Sequence, residues 1–207
     1  MKPLTFFILL ITMANNSSAQ KYLFYLHGAV VEGQGDGASN TYGTYKYNDI
    51  VNAFRKENFT VISEIRKSGT DVKAYAEKMK HEIDSLLNKG VPAKNITVVG
   101  GSKGALIAMY VSTFEKNKEM NFVFLAACND GNYTGNPEIK FYGNILSIYE
   151  KSDDIGESCV KFKNKSSATI NHYKEIEVNT GKNHGFLFQP YPEWFNPAVK
   201  WAKGNYE

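Results

Sequence analysis

Five residues concentrate the chemistry of this chain: Gly100-Gly101-Ser102-Lys103-Gly104. They fit G-x-S-x-G, in which a serine sits on a strained turn between a strand and a helix and projects its hydroxyl from the sheet. Little room remains two residues to either side, so Gly100 and Gly104 are the small residues such a turn requires. At average Gly and Ser frequencies the pattern arises by chance in roughly one chain of this length in fifteen, so its surroundings decide. Here apolar residues 96–99 precede it and apolar residues 105–114 follow, a buried strand feeding a buried helix. A serine hydroxyl is a poor nucleophile at its free pKa and needs a base, and the base needs an orienting group. Two histidines follow Ser102, His172 and His184, and the carboxylates Asp153 and Asp154 lie between them.

These residues must be held by a scaffold, and the patterning supplies one. Tyr22-Leu23-Phe24-Tyr25-Leu26 is a continuous apolar run ending at His27-Gly28, as a strand buried on both faces would read. A polar, Gly-rich loop over residues 32–47 follows, then a helix over 48–58 and a second strand over 59–65. Val72, Tyr75, Ala76, Met79, Ile83, Leu86 and Leu87 recur at spacings of three and four, which predicts a helix capped by Thr70 or Asp71 and ended by Gly90. Further strands are predicted over 95–99, 121–127, 144–149 and 173–178, and a closing helix over 193–202. Residues 131–140 read as a loop or a broken helix. The alternation predicts an α/β three-layer sandwich, with a mostly parallel six-stranded sheet covered by helices on both faces.

In such a sheet, sites lie at the carboxyl edge. His184, in Asn183-His184-Gly185-Phe186, follows the last strand at that edge, whereas His172 lies at the amino end of the same strand. Asp153 and Asp154 follow the fifth strand. With His27-Gly28 after the first strand, the GGSKG turn, the Asp loop and NHGF before a closing helix, the chain resembles the alpha/beta-hydrolase superfamily over nearly all of residues 20–207. It looks like a small member without a cap domain. The resemblance implies the sheet order 2-1-3-4-5-6 and a triad in chain order Ser, acid, His. Ser102 would be the nucleophile and His184 the base. Asp153 is favoured over Asp154 as the acid, because an Asp, one residue and an aliphatic side chain after the strand is the usual acid loop of this fold. The oxyanion donors would be the backbone N–H groups of Lys103 and of Ala29, with Gly28 allowing close approach. The Lys103 side chain would meet an anionic substrate or reach solvent, and His27 would be a structural hydrogen-bonder. The family implies ester or amide hydrolysis through an acyl-enzyme, with no metal and no organic cofactor.

Composition narrows the rest. The chain has 207 residues, 43% of them hydrophobic and 22% charged, with 13 Tyr and 13 Phe, which suits one folded domain. A net charge of +3 without a basic run gives no electrostatic case for nucleic acid. Lys2, a short apolar stretch over 4–14, and small Ser17 and Ala19 form an export signal cleaved after Ala19. The domain then spans 20–207, in the periplasm or secreted. That stretch is too short to span a bilayer. Export and an even count predict a disulfide between Cys128 and Cys159, at the ends of adjacent strands, with two buried free thiols as the competing expectation. Gly33-Gln34-Gly35-Asp36-Gly37-Ala38 matches a dinucleotide fingerprint by letter, but it does not open a helix directly after the strand. No metal-binding spacing occurs. Tyr42, Tyr45, Tyr47, Phe186, Phe188, Tyr191 and Trp194 either line an aromatic cleft or pack the core. The expected substrate is a small-molecule ester. A peptide-like substrate for the same triad and a catalytically inactive binding member of the fold are the competing expectations.

Overall fold

The computed structural model describes residues 20–207, and the leader expected over residues 1–19 lies outside the described residues. Six parallel strands form the main sheet: β1 (Lys21–Leu26), β4 (Phe59–Ile62), β5 (Ile96–Gly101), β6 (Asn121–Leu125), β7 (Gly143–Glu150) and β8 (Ile170–Val178). A short antiparallel hairpin, β2 (Ser39–Asn40) and β3 (Gly43–Thr44), stands apart from it. The main order is β4-β1-β5-β6-β7-β8, which is 2-1-3-4-5-6 among the six long strands, as the family resemblance implies.

Alternation along β1 shows why its run is continuously apolar. Leu23 and Tyr25 enter one core with α1 (Tyr47–Lys56) and α6 (Pro192–Ala202). Phe24 and Leu26 enter the other with α2 (Val72–Asn88) and α3 (Lys103–Glu115). Successive side chains point to opposite faces, so a strand covered on both sides has no polar position to spare. The 3.6-residue stripe of α2 buries Tyr75, Ala76, Met79 and Ile83. Asp71 caps it by accepting from the Ala74 N–H at 2.8 Å. Beyond its end, Gly90 takes the left-handed conformation with φ of 84°. Helix α3 is apolar nearly all round because it packs against both the sheet and α2.

Several boundaries differ from the sequence expectation. β4 stops at Ile62 rather than running to 65, since Ser63 Oγ donates to the Tyr25 carbonyl at 2.7 Å in place of a ladder bond. β8 begins at Ile170, with an irregular register between Gly143 and Asn144 that admits the added residues. Residues 131–135 belong to the short α4 (Asp130–Gly135), whose start is capped by the Asn129 side chain. The short α5 (Val160–Lys165) and the β2–β3 hairpin were not anticipated. Cys128, past β6, is disulfide-bonded to Cys159, just before α5, with Cα atoms 5.1 Å apart. Among the described residues no helix is long and apolar enough to cross a membrane.

Candidate active site

β5 delivers Ser102 to the carboxyl edge of the sheet, and the backbone turns sharply there. Ser102 has φ of 53° and ψ of −122°, a strained combination for a residue with a side chain, and α3 starts at the next residue. Its N–H donates to the Leu125 carbonyl at 2.8 Å, which ties the turn to the end of β6. The flanking glycines are dictated by contact. A Cβ on Gly100 would land on the Gly104 carbonyl, and one on Gly104 would land on the carbonyls of Leu26 and His27. Opposite the serine, a Cβ on Gly28 would stand 3.5 Å from Ser102 Cβ, so the loop after β1 faces the hydroxyl closely.

The loop after β7 carries Asp153, and the 3-10 turn Asn183–Leu187 after β8 carries His184. Asp153 receives the imidazole on both oxygens, with His184 Nδ1 at 2.8 Å from Oδ2 and 3.1 Å from Oδ1. The two side chains are almost wholly buried, 0% exposed for Asp153 and 5% for His184. Leu187, on the turn that carries His184, packs beside Gly101 and so next to the serine. Ser102 and His184 are not themselves hydrogen-bonded in this structure. Asp154 faces away and accepts from the Tyr42 hydroxyl at 2.9 Å. His172 is at the opposite end of β8, bonded to the Asn144 side chain at 2.8 Å and stacked on Tyr206.

The segment after β1 forms a 3-10 turn, Ala29–Val31. The N–H groups of Ala29 and Lys103 have no protein acceptor among the described residues. The carbonyl of the Gly28–Ala29 peptide bonds to His27 Nδ1 at 2.8 Å. Because C=O and N–H of a trans peptide point in opposite directions, this bond turns the Ala29 N–H the other way. His27 accepts the Arg66 N–H on Nε2 at 3.0 Å, so its Nδ1 carries the proton. Burial first, then the Arg66 guanidinium, depress its pKa to about 4. It is a structural, neutral histidine.

The Lys103 side chain is part-exposed, and its ammonium is held by a carboxylate of the protein itself rather than left open for an anionic substrate. Its Nζ lies 2.8 Å from Glu32 Oε2, while Arg66 Nε lies 3.1 Å from Glu32 Oε1. Arg66 also donates to the His27 carbonyl. Burial opposes ionisation of Glu32, but the hydrogen bonds from Lys103 and Arg66 outweigh it and hold the carboxyl below its ordinary range. This triad of charges joins the loop after β1, the loop after β4 and the start of α3. Sequence reading missed Glu32 and Arg66, since lone charges in polar loops carry no signal of pairing.

The aromatic residues divide unevenly. Tyr45, Tyr47, Phe186, Phe188 and Trp194 are core residues, and Tyr191 packs at its margin. Tyr42, from the β2–β3 hairpin, stands against the imidazole with ring centroids 5.5 Å apart, and the buried Phe188 meets the same ring edge-on at 6.4 Å. A concavity of about 790 Å³ lies beside α1 near Arg55 and Tyr191, and Ser102, Asp153 and His184 are not in its lining.

No protein-family model matches the sequence, and no curated protein matches it. Solved structures do. The esterase Pf2001 of Pyrococcus furiosus superposes with a TM-score of 0.63 at 16% identity, covering 90% of this chain and 83% of that one. SOBER1 of Arabidopsis thaliana gives 0.58 at 14% identity, covering 91% and 100%. YbtT, a type II thioesterase of the yersiniabactin biosynthetic pathway, gives 0.56 at 10% identity, covering 92% and 96%. These likenesses, with the strand order and the crossover helices, give the chain the alpha/beta-hydrolase fold.

Proposed function

We propose that this chain is a serine hydrolase of small carboxylic esters, acting through an acyl-enzyme with Ser102 as nucleophile, His184 as base and Asp153 as the orienting acid. The observation that carries the reading is the buried Asp153–His184 contact at the edge where Ser102 sits on its strained turn. Structural neighbours named as an esterase and a thioesterase support it at the level of ester-bond hydrolysis. Asp153 holds the proton on His184 Nδ1, leaving Nε2 free to take the proton from Ser102 Oγ as that oxygen attacks the carbonyl carbon. Negative charge on the former carbonyl oxygen is met by the N–H groups of Ala29 and Lys103, both without protein acceptors. His184 returns the proton to the leaving alkoxide. Water, deprotonated in its turn by His184, then releases the acid and regenerates Ser102. The hydroxyl and imidazole close their hydrogen bond when substrate binds, as catalytic contacts in free enzymes commonly do.

Labelling with a fluorophosphonate probe and turnover of p-nitrophenyl esters of graded chain length test this together. The wild type labels and hydrolyses, and Ser102→Ala does neither while keeping its fold. Activity of Ser102→Ala within about tenfold of wild type removes Ser102 from the mechanism, because losing a triad nucleophile costs many orders more. A well-folded wild type that never labels is an inactive binding member of the fold. Cleavage after Ala19 and export belong to the same proposal, supported by the Cys128–Cys159 disulfide, which suits an oxidising compartment. N-terminal sequencing of protein from the exported fraction checks it, and an intact Met1 there refutes it.

A further inference from the structure

Glu150, the last residue of β7, is a carboxylate that the proposed chemistry does not use. It is 1% exposed. Among the described residues it forms no ion pair with a cation. Instead it collects neutral donors from both loops that carry the acid and the base. From the Asp153 loop, Ser152 donates its N–H at 3.3 Å and its hydroxyl at 3.1 Å to Oε1. From the His184 loop, Thr180 donates its N–H at 2.8 Å and its hydroxyl at 2.7 Å to Oε2, and the Gly181 N–H reaches Oε1 at 3.4 Å. A second tie runs alongside, as the Asn183 N–H donates to Ser152 Oγ at 3.2 Å. Burial raises the cost of charge on Glu150, but the Thr180 and Ser152 bonds outweigh it and hold its pKa below the ordinary value.

The residue type is informative. Five donors converge, and a carboxylate is the one side chain that offers acceptors alone on both of its terminal atoms. A glutamine there would turn an NH₂ group toward N–H and O–H donors. A buried charge without a counter-ion is costly, and nothing in the core needs it. Its visible work is to fasten residue 152 to residues 180 and 181, one and three to four positions from Asp153 and His184. The strands themselves end at Glu150 and Val178, so beyond them the sheet ladder no longer sets the distance between the two loops.

Resting on the site reading above, we propose that Glu150 is a positioning residue that sets the geometry of the Asp153–His184 pair by joining their two loops across the end of the sheet. Glu150→Gln is expected to lower kcat about 100-fold, the scale of a misplacement near 1 Å, with KM held within about twofold. The second readout needs no turnover. The His184 Nδ1 proton, held by Asp153, gives a far-downfield proton NMR resonance in the wild type, which broadens or disappears in Glu150→Gln. A merely structural role would lower the folded fraction and leave the kcat of the folded enzyme and this resonance unchanged, and that result overturns the proposal. Should Glu150→Gln fail to fold, Thr180→Val and Ser152→Ala each remove one side-chain donor and leave the carboxylate in place. Each is expected to show a smaller fall in kcat at constant KM, and unchanged kcat in both overturns the proposal. A wild type without esterase activity would sink the reading of the site. The resonance would still decide whether Glu150 sets the Asp153–His184 contact.

Discussion

Replacing Glu32 by glutamine removes the negative member of the buried triad while keeping its size. Arg66 is 0% exposed at its side chain and Glu32 5%, whereas Lys103 is 21% exposed. The substitution therefore strands a fully buried guanidinium, and breaking a buried pair from one side costs about 3–5 kcal/mol. Lys103→Met removes a partner that water still reaches and leaves Glu32 paired with Arg66, so its cost is about 1 kcal/mol. Domains of this kind have about 5–15 kcal/mol in total, so the first change should move the urea midpoint far and the second little. The pH dependence has a definite sign. The folded-state pKa of Glu32 lies below its ordinary 4.5, so its contribution is complete above that value and is lost as the pH falls through the lowered one. The gap between wild type and Glu32→Gln should therefore be constant near neutrality and close in acid. Urea unfolding at pH 7 and at a series of lower pH values measures both. A cost below about 1 kcal/mol for Glu32→Gln, or equal costs for the two variants, would refute the reasoning.

Three further outcomes are expected. Asp153→Asn should cut kcat by roughly 10⁴, the effect of removing the acid in the serine-protease example, while Asp154→Asn changes it little; steady-state kinetics decides, and the reverse ranking moves the role to Asp154. Glu115, with a buried and unpartnered Oε1, has its pKa raised by burial to about 7, so its favourable contribution holds below 4.5 and is lost as the pH rises through 7. Glu115→Gln should then be more stable than wild type at pH 8 by about 1 kcal/mol, discounted for solvent screening, and should show no gain at pH 4 in thermal melts. Replacing Cys128 and Cys159 together by alanine should cost roughly 3 kcal/mol in urea unfolding, and an unchanged midpoint would show that the bridge adds no stability.

What could be read from the sequence was what is local. The run at residues 22–26, the stripe from Val72 to Leu87 and the serine turn each announce themselves within a few residues, and a mostly parallel sheet follows from the alternation of strand and helix, whereas the strand order rests on the family resemblance. His184 was separated from His172 by asking which end of a strand each occupies. The polar joints were not legible. Glu150 ends an apolar strand with nothing nearby to mark it, and its five donors come from residues 2 to 31 positions away. Glu32 pairs with residues 34 and 71 positions off, one in a loop and one at the start of α3, with no pattern linking them. Lys103 was read as free for substrate or solvent for the same reason. The β2–β3 hairpin, two residues to a strand, is too short for period-two alternation to register.

The parallel sheet also constrains the order in which this chain can fold. No two neighbours in it are joined by a hairpin, and β1 lies between β4 and β5. The first of the described strands in chain order is therefore an interior one, and it carries Leu23, Phe24, Tyr25 and Leu26. One of its edges waits for residue 59 and the other for residue 96. Such long-range parallel pairing is slow to form, and until it forms an apolar strand with two open edges is prone to associate with other chains.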